Sequence, residues 1–128
     1  MEDMLNNKAP WEELLEVALE AKAKDPVVQD VSGKSTWGDY MLLVTASSQV
    51  HMRGIYHRLV DYVKTRDDMT VYKQSGVKEE NRWILMDLGS IVINIMTEEA
   101  RDYYRLEDVW FDSPFLYKGK EDQSSKSS

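Results

Sequence analysis

This 128-residue chain predicts an α/β fold of the α+β kind: a single mixed sheet of about five strands flanked by helices. Three observations carry that prediction. Residues 11–19 and 50–63 repeat apolar side chains at spacings of three and four, the period of an amphipathic helix. The apolar runs RWILMD and SIVINIM are separated by little more than Leu88 and Gly89, which marks a hairpin and so antiparallel pairing. Residues 40–44, YMLLV, are apolar without alternation, as in a strand covered on both faces. A hydrophobic content of 42% supplies a real core, and a chain of this length buries roughly two-thirds of its unfolded surface.

In order along the chain, residues 1–9 lack a pattern and read as a flexible N-terminus. Pro10 suits a first helical turn, where its missing N–H costs nothing. Trp11, Leu14, Leu15, Ala18 and Leu19 form the apolar stripe of a first helix. It should end near Lys24, because Asp25 precedes Pro26 and is biased away from helical geometry. PVVQDV reads as a strand, SGKST as a turn and DYMLLVTA as a second strand. Ser47 or Ser48 caps the next helix, whose stripe is Val50, Ile55, Leu59, Tyr62 and Val63. Lys64 and Arg66 suit its C-terminal end. TVYKQ is a short third strand, SGVKEEN a polar loop, and the hairpin follows, covered on both faces because neither run alternates. Thr97 caps a last helix running to about Trp110, with Ser113-Pro114 preventing its continuation. The folded domain therefore spans residues 10–112. Residues 113–128, ending in KGKEDQSSKSS, form an extension expected to be largely disordered.

Composition excludes several function classes. No stretch approaches the ~18 apolar residues of a membrane span, and the N-terminus carries acids where a secretory signal needs positive charge. With no cysteine there is no disulfide, thiolate metal site or cysteine nucleophile. A net charge of −7 disfavours a surface that neutralises phosphates and suits a basic protein partner. A cytoplasmic protein without membrane attachment or direct nucleic-acid binding is the expectation.

Catalytic patterns are sparse. Gly33-Lys34-Ser35 resembles the end of a phosphate-binding loop, but Val28 stands where the loop's first glycine belongs. His51 and His57 are six residues apart on a helix, so they point to different faces and cannot share a metal. Asp30, Asp39 and Asp87 each close or open a strand, where carboxylates of phosphoryl-transfer enzymes lie and where turn-capping acids also lie. No D-x-D pair stands on a strand to build a two-metal site. The expectation is a non-enzyme with no cofactor and no metal.

RDYYRLEDVWFD, residues 101–112, concentrates four aromatic rings, four acids and two arginines. On a continuous helix, Ala100, Tyr103, Tyr104 and either Leu106 or Val109 would face the sheet. Arg101, Asp102, Arg105 and Asp108 would face water. One stripe cannot hide Tyr103, Tyr104, Trp110 and Phe111 together, and aromatic residues and arginine are enriched at interface hot spots. The segment reads as a binding surface.

The stretch WILMDLGSIVINIMTEEARDYYRLEDVW resembles the signature of the ribosomal silencing factors, or iojap-like proteins. Trp83, Asp87, Gly89, Arg101, Tyr103, Tyr104, Leu106, Glu107 and Trp110 occupy the pattern's places in order. Upstream, Asp30, Asp39-Tyr40 and Ser48 also resemble it, so the likeness covers residues 11–112. Ser75-Gly76 stands where the family usually has Glu-Gly, and Asn94 and Met96 stand where it has His and Phe. The resemblance implies a nucleotidyltransferase-like fold without that superfamily's catalytic residues. It further implies binding to the large ribosomal subunit through ribosomal protein L-fourteen, which blocks subunit joining and represses translation. Two rivals are a large-subunit assembly factor using the same surface and a nucleotidyltransferase-type enzyme. Self-association through a sheet edge or helix face is a further expectation. Within this framework Tyr103, Glu107, Asp108, Trp110 and Phe111 are the expected partner-facing residues. Trp83, Asp87, Tyr104 and Leu106 are expected to fix the hairpin against the last helix, with Arg101 holding Asp87 or Glu107.

Overall fold

The most apolar segments of the chain pair with each other. In the computed structural model, which describes residues 9–33, 38–76, 81–109 and 114–119, β2 (Tyr40–Ala46) runs parallel to β5 (Ile91–Thr97), with Tyr40 opposite Ile91 and Ala46 opposite Thr97. The hairpin adds β4 (Trp83–Asp87) antiparallel to β5, and β3 (Lys73–Ser75) pairs with β4. On the other side β1 (Lys24–Asp30) pairs antiparallel with β2, and β6 (Phe115–Lys118) lies outside it. The order is β3-β4-β5-β2-β1-β6, a mixed sheet of six strands rather than about five. Every residue of β5 is buried, as the unbroken apolar run requires. In β4, however, only Ile84 and Met86 are buried, while Trp83, Leu85 and Asp87 are half-buried. The hairpin is thus covered on both faces along β5 alone.

One face carries two helices. α1 (Pro10–Glu20) starts where the Glu12 Oε1 accepts the Ala9 N–H at 2.8 Å, and buries Leu14, Leu15 and Ala18. It stops at Glu20, short of Lys24, because Lys22 turns left-handed at φ 71°. Asp25 does the same at φ 49°, and β1 opens with a register irregularity between Lys24 and Val27. α2 (Gln49–Lys64) is capped by Ser48, whose Oγ accepts the His51 N–H at 3.0 Å. Its buried side chains are Met52, Ile55, Tyr56, Leu59 and Val63, whereas Val50, expected in that stripe, points into solvent. These residues pack on Val28, Leu42, Val44, Ile84, Met86, Ile93 and Ile95, the main core.

Polar links tie the two helices together. The Tyr62 hydroxyl and the Arg66 guanidinium both donate to the Glu13 carboxylate, and Arg66 Nη1 reaches the Tyr62 oxygen at 2.6 Å. The Tyr62 hydrogen bond, aided by Arg66 and opposed by burial, holds the Glu13 carboxyl below its ordinary range. His51 is tied to the backbone through both ring nitrogens. Its Nδ1 accepts the Ser47 N–H at 3.0 Å, so Nε2 carries the proton that reaches the Ala21 carbonyl at 2.8 Å.

The opposite face carries α3 (Glu98–Tyr104) and α4 (Leu106–Val109), over a smaller cluster of Val27, Val31, Met41, Leu43, Met96 and Ala100. β6 departs from the expected disorder of residues 113–128. β1 leaves an open edge, onto which Tyr117 pairs opposite Val28 and packs against the main core. Among the described residues no helix is long and apolar enough to cross a membrane.

Candidate partner-binding surface

The surface begins at the end of β5. Thr97 Oγ1 accepts the Ala100 N–H at 3.2 Å and sets the start of α3, whose first turn carries Glu98 and Glu99 against the helix dipole. Ala100 faces the sheet and is buried. The helix does not continue to Trp110. Arg105 adopts a left-handed conformation at φ 50° and ψ 55°, and its N–H returns to the Arg101 carbonyl at 2.9 Å. Neither glycine nor proline marks this break. Arg105 instead spends its side chain locally, donating from Nε to Asp108 Oδ2 at 2.7 Å.

The break leaves Tyr103 and Tyr104 at the end of a short helix, beside the first residue of β4. Trp83 and Tyr104 lie with ring centroids 4.8 Å apart, and Tyr103 meets Tyr104 edge-on at 4.9 Å. Tyr104 is 49% exposed and Tyr103 79%, so both leave the sheet-facing positions that a continuous helix would give them. Trp83 and Leu106 pack on the smaller core cluster beneath. Behind the rings, the Trp83 indole Nε1 donates to the Asn94 Oδ1 at 2.9 Å, and Asn94 is only 3% exposed. Gly76 guards the strand from the other side. A Cβ there would sit 1.9 Å from the Trp83 carbonyl oxygen, and its φ of 83° also favours glycine.

Arg101 does not reach Asp87. Its Nη1 donates to Thr45 Oγ1 at 2.7 Å and to the Asp25 carbonyl, fastening α3 to the start of β1 and the end of β2. Asp87 lies at the far end of β4, where its Oδ1 accepts the Gly89 N–H at 2.8 Å and closes the hairpin turn. On the Arg101 side of α3, Asp25, Thr45, Glu98, Arg101, Asp102, Arg105 and Asp108 line a cavity of about 440 Å³. Glu98 and Asp102 also border a neighbouring hollow of about 630 Å³ that extends to Lys24 and Arg82. Tyr103 and Asp108 therefore belong to different parts of the surface: an aromatic ridge and a charged hollow.

Five of the expected site residues gather here: Trp83, Tyr103, Tyr104 and Leu106 at the ridge, Asp108 at the hollow. Arg101 joins as an anchor and Asp87 does not join. Trp110, Phe111 and the Glu107 side chain lie outside the described residues, as do Lys34 and Ser35. Sequence reasoning missed Thr45 and the Asp25 carbonyl as the anchors of α3, for which only the Asp-Pro step at residues 25–26 gives a local signal. Asn94 had one, a polar residue inside an unbroken apolar run.

At the opposite end of the sheet, the strand-end acids serve turns. Asp30 Oδ1 accepts the Ser32 N–H at 3.0 Å and its hydroxyl at 2.6 Å, bonds that hold the Asp30 carboxyl below the usual carboxylate range. Among the described residues, no group of three or more His, Cys, Asp or Glu side chains is placed to hold a metal ion.

Fold and surface together define an α+β protein with a six-stranded mixed sheet and an aromatic ridge on its thinly covered face. The chain matches the family described as "Ribosomal silencing factor during starvation" over residues 6–128 and belongs to it. The ribosomal silencing factor of Halalkalibacterium halodurans is 32% identical over 107 residues, covering 80% of this chain and 90% of that one. The mouse protein named "Mitochondrial assembly of ribosomal large subunit protein 1" is 31% identical over 84% of this chain, which spans 48% of its length. A crystal structure of a Chromobacterium violaceum protein superposes with a TM-score of 0.68 at 26% identity, covering 77% of this chain and 84% of that one.

Proposed function

We propose that this protein binds the large ribosomal subunit through the ridge of Trp83, Tyr104 and Tyr103, taking ribosomal protein L-fourteen as its contact, and that its bulk there blocks joining of the small subunit. The observation that carries this reading is the solvent-open series of rings in mutual contact, Trp83 on β4 and Tyr104 and Tyr103 on α3, a helix capped by Thr97 and anchored through Arg101. Rings fixed by their neighbours lose little freedom on binding, which is what makes aromatic anchors effective hot spots. The same two short helices carry the acids Glu98, Glu99, Asp102 and Asp108, within a chain of net charge −7. A ribosomal protein that also touches RNA is basic, so charge steers the encounter and the rings supply the dry contact. Glu107, Trp110 and Phe111, which follow α3 in the sequence, complete the partner-facing set of this proposal.

Silencing of this kind requires occupancy and no bond-making, so the protein acts without being an enzyme. Turn duties for Asp30 and Asp87 agree with that. The test is co-sedimentation with purified large subunits and a subunit-joining assay. Wild type should bind and inhibit joining, Trp83→Ala and Glu107→Lys should do neither, and normal binding by both variants would overturn the site. The mouse relative's name supports a second reading, in which the same surface serves large-subunit assembly. Association with precursor particles alone, and not with mature subunits, would favour it.

A further inference from the structure

We infer that Asn94 is a positioning residue for docking: it sets the plane of the Trp83 indole, and through it the two tyrosines that meet the partner. This rests on the ridge being the docking surface. Asn94 lies in the middle of β5, opposite Leu43 on one side and Leu85 on the other. Its neighbours along the same side of the strand are Val92 and Met96, so a polar amide there has no general use in packing. Burying an amide is costly unless it is hydrogen-bonded, and Asn94 is buried. Its Oδ1 accepts the indole N–H of Trp83 across the β4–β5 pair at 2.9 Å.

That bond has a directional consequence. An indole carries one N–H, and fixing where it points fixes the ring's rotation about its side-chain bonds. Trp83 sits on the partly covered face, where packing alone encloses it on one side, so the hydrogen bond supplies the remaining constraint. The Trp83 ring then offers its surface to Tyr104 at 4.8 Å, and Tyr104 offers its face or edge to Tyr103 at 4.9 Å. A chain of contacts thus runs from a residue 3% exposed to one 79% exposed. Asn94 touches no partner. It acts by keeping the outer rings in one arrangement before the partner arrives, which lowers the ordering cost of binding.

The experiment measures affinity for purified large ribosomal subunits with Asn94→Leu, which removes the acceptor, Trp83→Phe, which removes the donor and keeps a ring, and the double variant. Thermal unfolding of each is recorded alongside, and affinity is referred to folded protein. Either single change should weaken binding about fivefold, and the double variant should bind no worse than the weaker single one, because both remove the same bond. Asn94→His, which restores an acceptor, should recover most of the affinity lost in Asn94→Leu. Should Asn94→Leu not fold, Trp83→Phe and Asn94→His carry the comparison. Unchanged affinity in the folded single variants, or losses that add in the double variant, would overturn the role of Asn94. Failure of the docking reading looks different: wild type does not bind, or Tyr103→Ala binds as wild type does.

Discussion

An eleven-residue and a sixteen-residue helix cover one face of the sheet, while α3 and α4, of seven and four residues, lie over the other. Under α1 and α2 the apolar residues are almost all buried, and the polar groups between the helices satisfy one another. Under α3 the cluster is smaller, and three of the five residues of β4 are only half-buried. The rings beside it meet edge-on, with Tyr104 tilted against Trp83, and remain open to solvent. The first face holds the domain together, and on the proposed reading the second keeps contact area available for a partner. Stability and binding should therefore separate when each face is mutated.

The largest stability effect belongs to the covered face. Leu59→Ala, at a fully buried position in α2, should cost about 2–5 kcal/mol in urea unfolding, while the folded protein still binds large subunits normally. A specific loss of affinity there would break the division of labour. Next comes Gly76→Ala, at the boundary between the two roles. The new methyl would have to displace the Trp83 carbonyl, so both stability, by about 1–3 kcal/mol, and affinity should fall. Thr97→Ala removes the cap of α3 and should cost about 1 kcal/mol, visible as faster amide exchange at the start of that helix.

The smallest effect is a pH dependence on the covered face. Because the Glu13 carboxyl titrates below its ordinary value in the folded protein, its bonds to Tyr62 and Arg66 stabilise the fold above the unfolded value of 4.5. That contribution is lost as pH falls through the folded value. Glu13→Gln should flatten this acid limb by less than about 1 kcal/mol, and a pH series of unfolding midpoints reads it.

Elements with a local cause were legible in the sequence. The α1 and α2 stripes, the Ser48 and Thr97 caps and the β4–β5 hairpin follow from periodicity and capping chemistry within a few residues. What escaped depends on distant partners. β6 exists because β1 offers an edge, and nothing in FLYK among its polar flanks announces that. The end of α3 is set by a left-handed Arg105, a conformation that an arginine does not advertise. Arg101 turned toward Thr45 and the Asp25 carbonyl, groups that the chain brings within reach only once β1 and β2 have paired. The crowding of rings and charges into residues 101–112 was plain in the sequence, but the division between the aromatic ridge and the charged hollow required that break. Asp87, placed by pattern beside the last helix, serves the hairpin turn instead.

Tyr103 separates the two faces best, being 79% exposed and in contact with Tyr104 at the outer end of the ridge. The decisive measurement is the affinity of Tyr103→Ala for purified large ribosomal subunits, taken with its unfolding midpoint. Binding should weaken about tenfold or more, as for an aromatic hot spot, while stability changes by less than about 0.5 kcal/mol. Wild-type affinity in that variant, or a loss explained by unfolding, would contradict a docking role for the ridge.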